Sequence, residues 1–195
     1  LNKTNILMNW SKYIIILIMF KKNKGFSLVE VLLVLGFAAV LIAGAFLAYS
    51  QVKSSNSVNS EVQAAATMSA GVRSLFSGSP NYADLVGGDA EQLMIQANIV
   101  PENKVNAAGD GITHDLGGTT QQITVSTVNS DTAFTFTYSD VPESQCSKFV
   151  SAVAPSFNAV SVGGTSVKAF DGDLNVATMT TNCSGGPVDV VLTSD

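Results

Sequence analysis

The chain has 195 residues, 46% of them hydrophobic and 13% charged, with ten Lys or Arg against fifteen Asp or Glu and a net charge of −5. Five of the ten cations and none of the fifteen anions lie in 1–25, so 26–195 carries five basic against fifteen acidic residues. That balance excludes simple electrostatic binding of nucleic acid, and the length allows one domain plus a terminal segment.

The first residue is Leu1 rather than a methionine, as expected of a non-AUG or misassigned start. Tyr13 to Phe20 is an apolar run of eight, too short to span a membrane. A start at Met19 leaves only a short basic peptide, Met19 to Gly25, ahead of Phe26. After Lys21, Lys22 and Lys24 comes Gly25, then an apolar run of 24 residues, Phe26 to Tyr49, with one charge, Glu30. As a helix that run is about 36 Å long, enough to cross a ~30 Å hydrocarbon core with some tilt. The lysines ahead of it hold the N-terminus on the cytoplasmic side.

A plain signal anchor satisfies all of this, but two details depart from one. The small residue suited to a processing enzyme, Gly25, precedes the apolar run, whereas a secretory signal is cut after it. The second is Glu30, because an acid inside a membrane segment costs up to about 3 kcal/mol at the centre and calls for a partner.

The stretch Gly25-Phe26-Ser27-Leu28-Val29-Glu30, behind its three lysines, resembles the type IV pilin family and its type II secretion pseudopilin relatives. The resemblance implies an α+β type IV pilin fold: a long N-terminal helix packed on an antiparallel sheet head with short helices and a C-terminal disulfide. It implies that 1–25 is a leader cut by a prepilin peptidase between Gly25 and Phe26, and that the new Phe26 amino group is methylated. Glu30 then pairs with the Phe26 ammonium of a neighbouring subunit during assembly. The expected protein is a structural subunit, the major pilin, without enzymatic activity, cofactor or metal. Its partners are further copies of itself, the prepilin peptidase, the inner membrane and the pilus assembly machinery, with a host-cell or bacterial surface ligand left open. It passes from the inner membrane to an extracellular filament. A long leader and the absence of proline from the apolar half resemble type IVb pilins; Phe26 as first mature residue, and a short leader, resemble type IVa. The alternatives are a minor pilin, a pseudopilin, or an anchored domain that never polymerises.

Beyond Tyr49 the helical period continues through Val58, Val62, Ala65, Ala66, Val72, Leu75 and Phe76, with Lys53, Asn56, Asn59, Glu61, Gln63 and Arg73 mostly on other faces. No proline falls between Phe26 and Ser79, and Ser77-Gly78-Ser79-Pro80 stops the pattern. The spacing predicts one helix over 26–79, its first part 26–49 serving membrane and filament core, followed by a head over 80–195. A short helix is expected over Ala90 to Ala97, capped by Asp89 or the glycine before it, with Leu93 and Ile95 buried. Gln122 to Val128 and Thr132 to Tyr138 alternate around Asn129-Ser130-Asp131 and predict a hairpin. A helix over Glu143 to Val153 comes next, burying Cys146, Phe149, Val150 and Val153. A second hairpin, Ala159 to Val162 with Ser166 to Phe170, turns at Gly163-Gly164. The last strand is Pro187 to Thr193, with Val188, Val190 and Leu192 on one face. The pilin resemblance places that strand within the sheet.

Two cysteines, Cys146 and Cys183, in an exported chain read as a disulfide; in a cytoplasmic one they read as buried thiols. Together with the single histidine, His114, they match no common zinc spacing. Asp110 and Asp115 lack the alternating spacing of a calcium loop, and Asp171-Gly172-Asp173 reads as a turn. His114 has no nucleophile motif around it and is expected as a solvated loop residue.

Overall fold

The computed structural model describes residues 26–85 and 89–195, without the side chains at 47, 48, 50 and 51. The expected leader over 1–25, Gly25 included, and the glycine considered as a cap before Ala90 lie outside the described residues. Helix α1 runs Leu28–Leu75 and begins with Val31 N–H donating to Ser27 O at 3.1 Å. It is shorter at both ends than the expected 26–79. Ser77-Gly78-Ser79 turns instead, with Ser79 N–H bonded to Phe76 O. Two compact units divide within this helix, one ending at Ala48 and the other covering Tyr49–Asp195.

In the second unit α1 buries Val58, Glu61, Ala64, Ala65, Met68, Ser69 and Val72, and Phe76 is buried just beyond its end. The stripe is therefore rotated from the expected one: Val62 and Ala66 are half-buried and Leu75 is exposed. Ala65, Met68 and Val72 belong to the same buried cluster as the large rings of the sheet, Phe134, Phe136 and Tyr138.

After α1 come α2 (Ala90–Gln96), a 3-10 turn over Glu102–Lys104, β1 (Ile112–Thr113), β2 (Gln122–Val128) and β3 (Ala133–Val141). Next in order are α3 (Glu143–Val153), β4 (Ala159–Val162), β5 (Thr165–Lys168), α4 (Val176–Cys183) and β6 (Val188–Ser194). The six strands form one sheet in the order β1-β2-β3-β6-β4-β5, antiparallel at every pairing. The final strand lies inside the sheet, between β3 and β4, as the resemblance implied. The β2–β3 turn holds Asn129, Ser130 and Asp131 at φ of 55°, 58° and 64°, a left-handed run that Asn and Asp tolerate better than most residues.

One face of the sheet is apolar. Phe136 stands opposite Val125 and Leu192, and Tyr138 opposite Ile123 and Val190. The other face carries Thr124, Ser126, Thr137, Thr193 and Ser161, which are exposed or half-buried. This is the pattern of an antiparallel sheet covered on one side. α3 buries the four residues expected of it against that apolar face, with the Phe149 and Tyr138 ring centroids 4.8 Å apart.

Three local expectations are corrected. β5 starts one residue early and ends at Lys168, because Gly172 N–H bonds Ala169 O and Asp171 N–H bonds Asn158 O, folding 169–172 into a turn. In α2 the fully buried residues are Ala90, Glu91 and Met94, while Leu93 and Ile95 are half-buried and Asp89 makes no side-chain cap bond. Helix α4 was not anticipated. Its Thr-rich sequence has weak helical propensity, yet Asn175 caps it by accepting from Thr178 N–H at 3.0 Å, and Met179 and Cys183 supply the buried i, i+4 pair.

Cys146 in α3 and Cys183 at the end of α4 are disulfide-bonded, Cα to Cα 5.6 Å. A sequence separation of 37 closes a loop worth about 4 kcal/mol in the chain-entropy treatment. Replacing both cysteines with serine is expected to lower unfolding free energy by about 2–4 kcal/mol, read from urea unfolding of the two proteins side by side.

Candidate functional site: an unburied apolar helix and a buried charge cluster

The first unit contributes one surface. Leu28–Phe46 is 19 residues of helix with mean hydropathy 2.6, and none of that stretch is buried within the chain. Large side chains along it are exposed around the whole circumference, from Leu28 and Val29 through Phe37 to Leu41, Ile42 and Phe46. A continuous apolar surface of this kind is not stable in water and requires lipid or protein around it. Phe26 is exposed just ahead of it. Glu30 lies in its first turn and is exposed. Gly36 and Gly44 face open space within the chain, leaving room for a neighbouring helix to approach closely.

The second unit holds a cluster that the sequence did not announce. Glu61 in α1 and Lys104 are fully buried and ion-paired, and Lys104 Nζ also donates to Asp115 Oδ2 at 2.7 Å. Glu61 Oε1 accepts in addition from Asp115 N–H at 2.7 Å. The cluster thus ties α1 to the segments on either side of β1. Burial pulls the Lys104 ammonium down, but hydrogen bonds to Asp115 and Glu61, with the charges of both, outweigh it and its pKa is raised. Its share of stability is complete below the ordinary value of 10.5 and is lost as pH rises through the folded one. Glu61 Oε2 and the Tyr138 hydroxyl are buried with no hydrogen-bond partner among the described residues. Burial, and then the Glu61 charge, push Tyr138 well above its usual range.

His114 belongs to the same cluster. It is fully buried, which corrects the expectation of a solvated loop residue. Burial lowers its pKa, against the opposing effect of its bond to Ser139 O. The segment after it is closed from the far end by Asp140, whose carboxylate accepts from Thr119 N–H and, at 2.9 Å, from Thr120 N–H. These amides, Thr120 first, hold the Asp140 carboxyl below the usual carboxylate range. Gly118 has φ +98°, and a Cβ there would collide with Asp140 O, so glycine is required at this position.

Among the remaining expectations, Asp110 bonds Asn106 Nδ2, Asp115 pairs with Lys104, and Asp171 sits in a turn at φ 55°. No group of His, Cys, Asp and Glu suited to a metal occurs among the described residues. The signal for the missed cluster lay in the helical phase: Glu61 is spaced three residues from both Val58 and Ala64, inside the buried stripe.

Comparison with known proteins gives three kinds of match. A family model described as PilS N terminal matches residues 54–195. The major structural subunit of the bundle-forming pilus of Escherichia coli O127:H6 (strain E2348/69 / EPEC) is 26% identical over 114 residues, covering 58% of this chain and 55% of that protein. The corresponding subunit of Escherichia coli O111:H- is 28% identical over the same shares. The chain therefore spans about half the length of these relatives. In structure, the type IV pilin TcpA from Vibrio cholerae El Tor biotype superposes with a TM-score of 0.51 at 16% identity, over 72% of this chain and 99% of that one.

The buried pair yields a test. Lys104→Met leaves the Glu61 carboxylate without its cation and is expected to cost about 3–5 kcal/mol. Adding Glu61→Leu to it is expected to recover most of that loss in urea unfolding, since no uncompensated charge remains. Additive losses in the double variant would contradict the pairing.

Proposed function

Because the chain belongs to the PilS family, matched over 54–195, and has the type IV pilin fold, we propose that it is the major structural subunit of a type IV pilus. The observation that carries this reading is the 19-residue apolar helix with no buried residue, continuous in sequence with a pilin head. A surface that must be covered on all sides suits a subunit held first by lipid and then by other copies of the same helix. Each Å² of apolar area removed from water contributes about 25 cal/mol, so bundling such helices supplies the driving force for a filament.

In this proposal a prepilin peptidase removes 1–25 by cutting between Gly25 and Phe26, and the exposed Phe26 amino group is methylated. The cut creates a cation at the edge of the apolar segment, in the layer where Glu30 places an anion. Pairing of Glu30 with the Phe26 ammonium of the next subunit sets the register of entry into the filament and removes the cost of carrying an unpaired acid. The precursor resides in the inner membrane and the mature subunit in an extracellular fibre that serves adhesion, aggregation or DNA transfer. Residues 80–195 form the fibre's outer surface and 26–49 its core.

The test is the N-terminal mass of protein sheared from whole cells. A chain beginning at methylated Phe26 in the filament fraction is expected; full-length precursor confined to membranes would return the protein to a plain anchored domain. Gly25→Val is expected to accumulate uncleaved precursor. Glu30→Ala is expected to insert and be cut but to give few or no filaments, and normal piliation in that variant would refute the pairing.

A further inference from the structure

We propose that 114–121, between β1 and β2, is an acid-sensitive latch on the head, released by protonation of the His114 imidazole. The segment is also held by the Asp115 amide on Glu61, by Asp115 with Lys104 and by His114 N–H on Gln121 O; its acid-sensitive part is two hydrogen bonds of opposite sense made by the His114 ring. The buried ring pairs with Ser139 O through Nε2 at 2.8 Å, and its Nδ1 accepts from Leu116 N–H at 3.3 Å. A neutral imidazole with its proton on Nε2 meets both demands. A second proton on Nδ1 turns the acceptor into a donor pointed at another N–H, and Leu116 loses its partner inside the protein. Leu116 is itself fully buried, so releasing its amide also loosens its apolar anchor.

The charged and titratable groups around the ring are Glu61 on α1, Lys104 in the 3-10 turn, Asp115 on the segment itself, Asp140 on β3, which feels the charge of the ring, and Tyr138 on β3, whose ring centroid is 5.6 Å from the imidazole. Glu61 and Asp115 are both engaged by Lys104; burial is the largest influence on the ring and disfavours its charged form, the charges of Glu61 and Asp115 favour that form, and the Lys104 charge opposes it. None of them offers the protonated Nδ1 an acceptor in a hydrogen bond that the structure contains. The far end of the segment is held separately by Asp140, through Thr119 and Thr120. With the folded pKa depressed below 6.5, the neutral ring's contribution is complete above that value. It is lost as pH falls from there through the folded pKa, the range in which the open state binds the proton first. Asp140, held low by its amides, keeps its grip over that range, so acid opens the His114 end first.

The experiment is hydrogen exchange with mass analysis on the intact mature protein at a series of pH values from about 7.5 to about 5, corrected for intrinsic exchange. Protection of peptides covering 114–121 is expected to fall by up to tenfold per pH unit, the slope of one proton, while α1 peptides over 58–72 hold theirs. In His114→Gln the side-chain amide can both donate and accept but does not titrate, and the slope is expected to vanish. Asp140→Asn is expected to lower protection at every pH and to keep the slope. His114 is the one histidine in the sequence, so its ring titration is read by NMR without assignment, even if a variant fails to fold. Protection that is flat with pH in the parent protein, a slope that survives His114→Gln, or a fall in protection that does not track the ring's titration would each overturn the latch. The reading concerns the folded head and stands or falls apart from filament assembly.

Discussion

Helix α1 meets two environments along one unbroken backbone, and the rest of the chain is arranged around that demand. Up to Phe46 its side chains, Glu30 apart, are apolar and unburied; from Val58 onward it has one buried stripe. The first part is stable only with lipid or protein around it. The second is stable only with a sheet against it. Every element after Leu75 serves the second requirement. The sheet presents a single apolar face, α3 and α4 pack on each other and on strands β4, β5 and β6, and the disulfide joins those two helices to each other.

The head is held to α1 by polar contacts as well as by apolar packing. Glu61 anchors Lys104 and the Asp115 amide, and at the other end of the stripe Ser69 and Arg73 both bond the Ser194 hydroxyl. Apolar packing alone is non-directional and tolerates sliding along a helix. Buried polar pairs do not, because each has one register in which its groups are satisfied. These two points, eight residues apart at Glu61 and Ser69, fix where on the helix the sheet sits.

Strands β2 to β6, the α3 helix and the apolar run were legible in the sequence because each shows a period that one physical force imposes, whereas the two-residue β1 was not. Ile123 and Val125 alternate with Thr124 and Ser126, since only one face of β2 is covered. Phe149, Val150 and Val153 recur because one face of α3 is. What escaped were features that depend on partners distant in sequence. Glu61 looked like a surface acid because its cation is 43 residues away, and His114 looked solvated because its acceptor, Ser139 O, lies on another strand. Helix α4 was missed since its Thr-rich composition favours other structure, and its stability comes from the Asn175 cap, the disulfide and contact with α3. The pilin resemblance anticipated the central place of β6, which no local pattern could show. The proposed cleavage, methylation and pairing of Glu30 rest on the motif at Gly25-Phe26 and not on the fold of the head.

The central position of β6 also governs the order in which the head can be completed. Until Val188–Ser194 has been made, β3 and β4 each present a bare edge of unpaired amides and carbonyls, and the sheet exists only as a three-stranded part, β1-β2-β3, and a separate β4-β5 hairpin. Bare edges of this kind are the sites at which strands of different chains join wrongly. A chain broken anywhere before Val188 therefore lacks the piece that joins the two parts into one sheet.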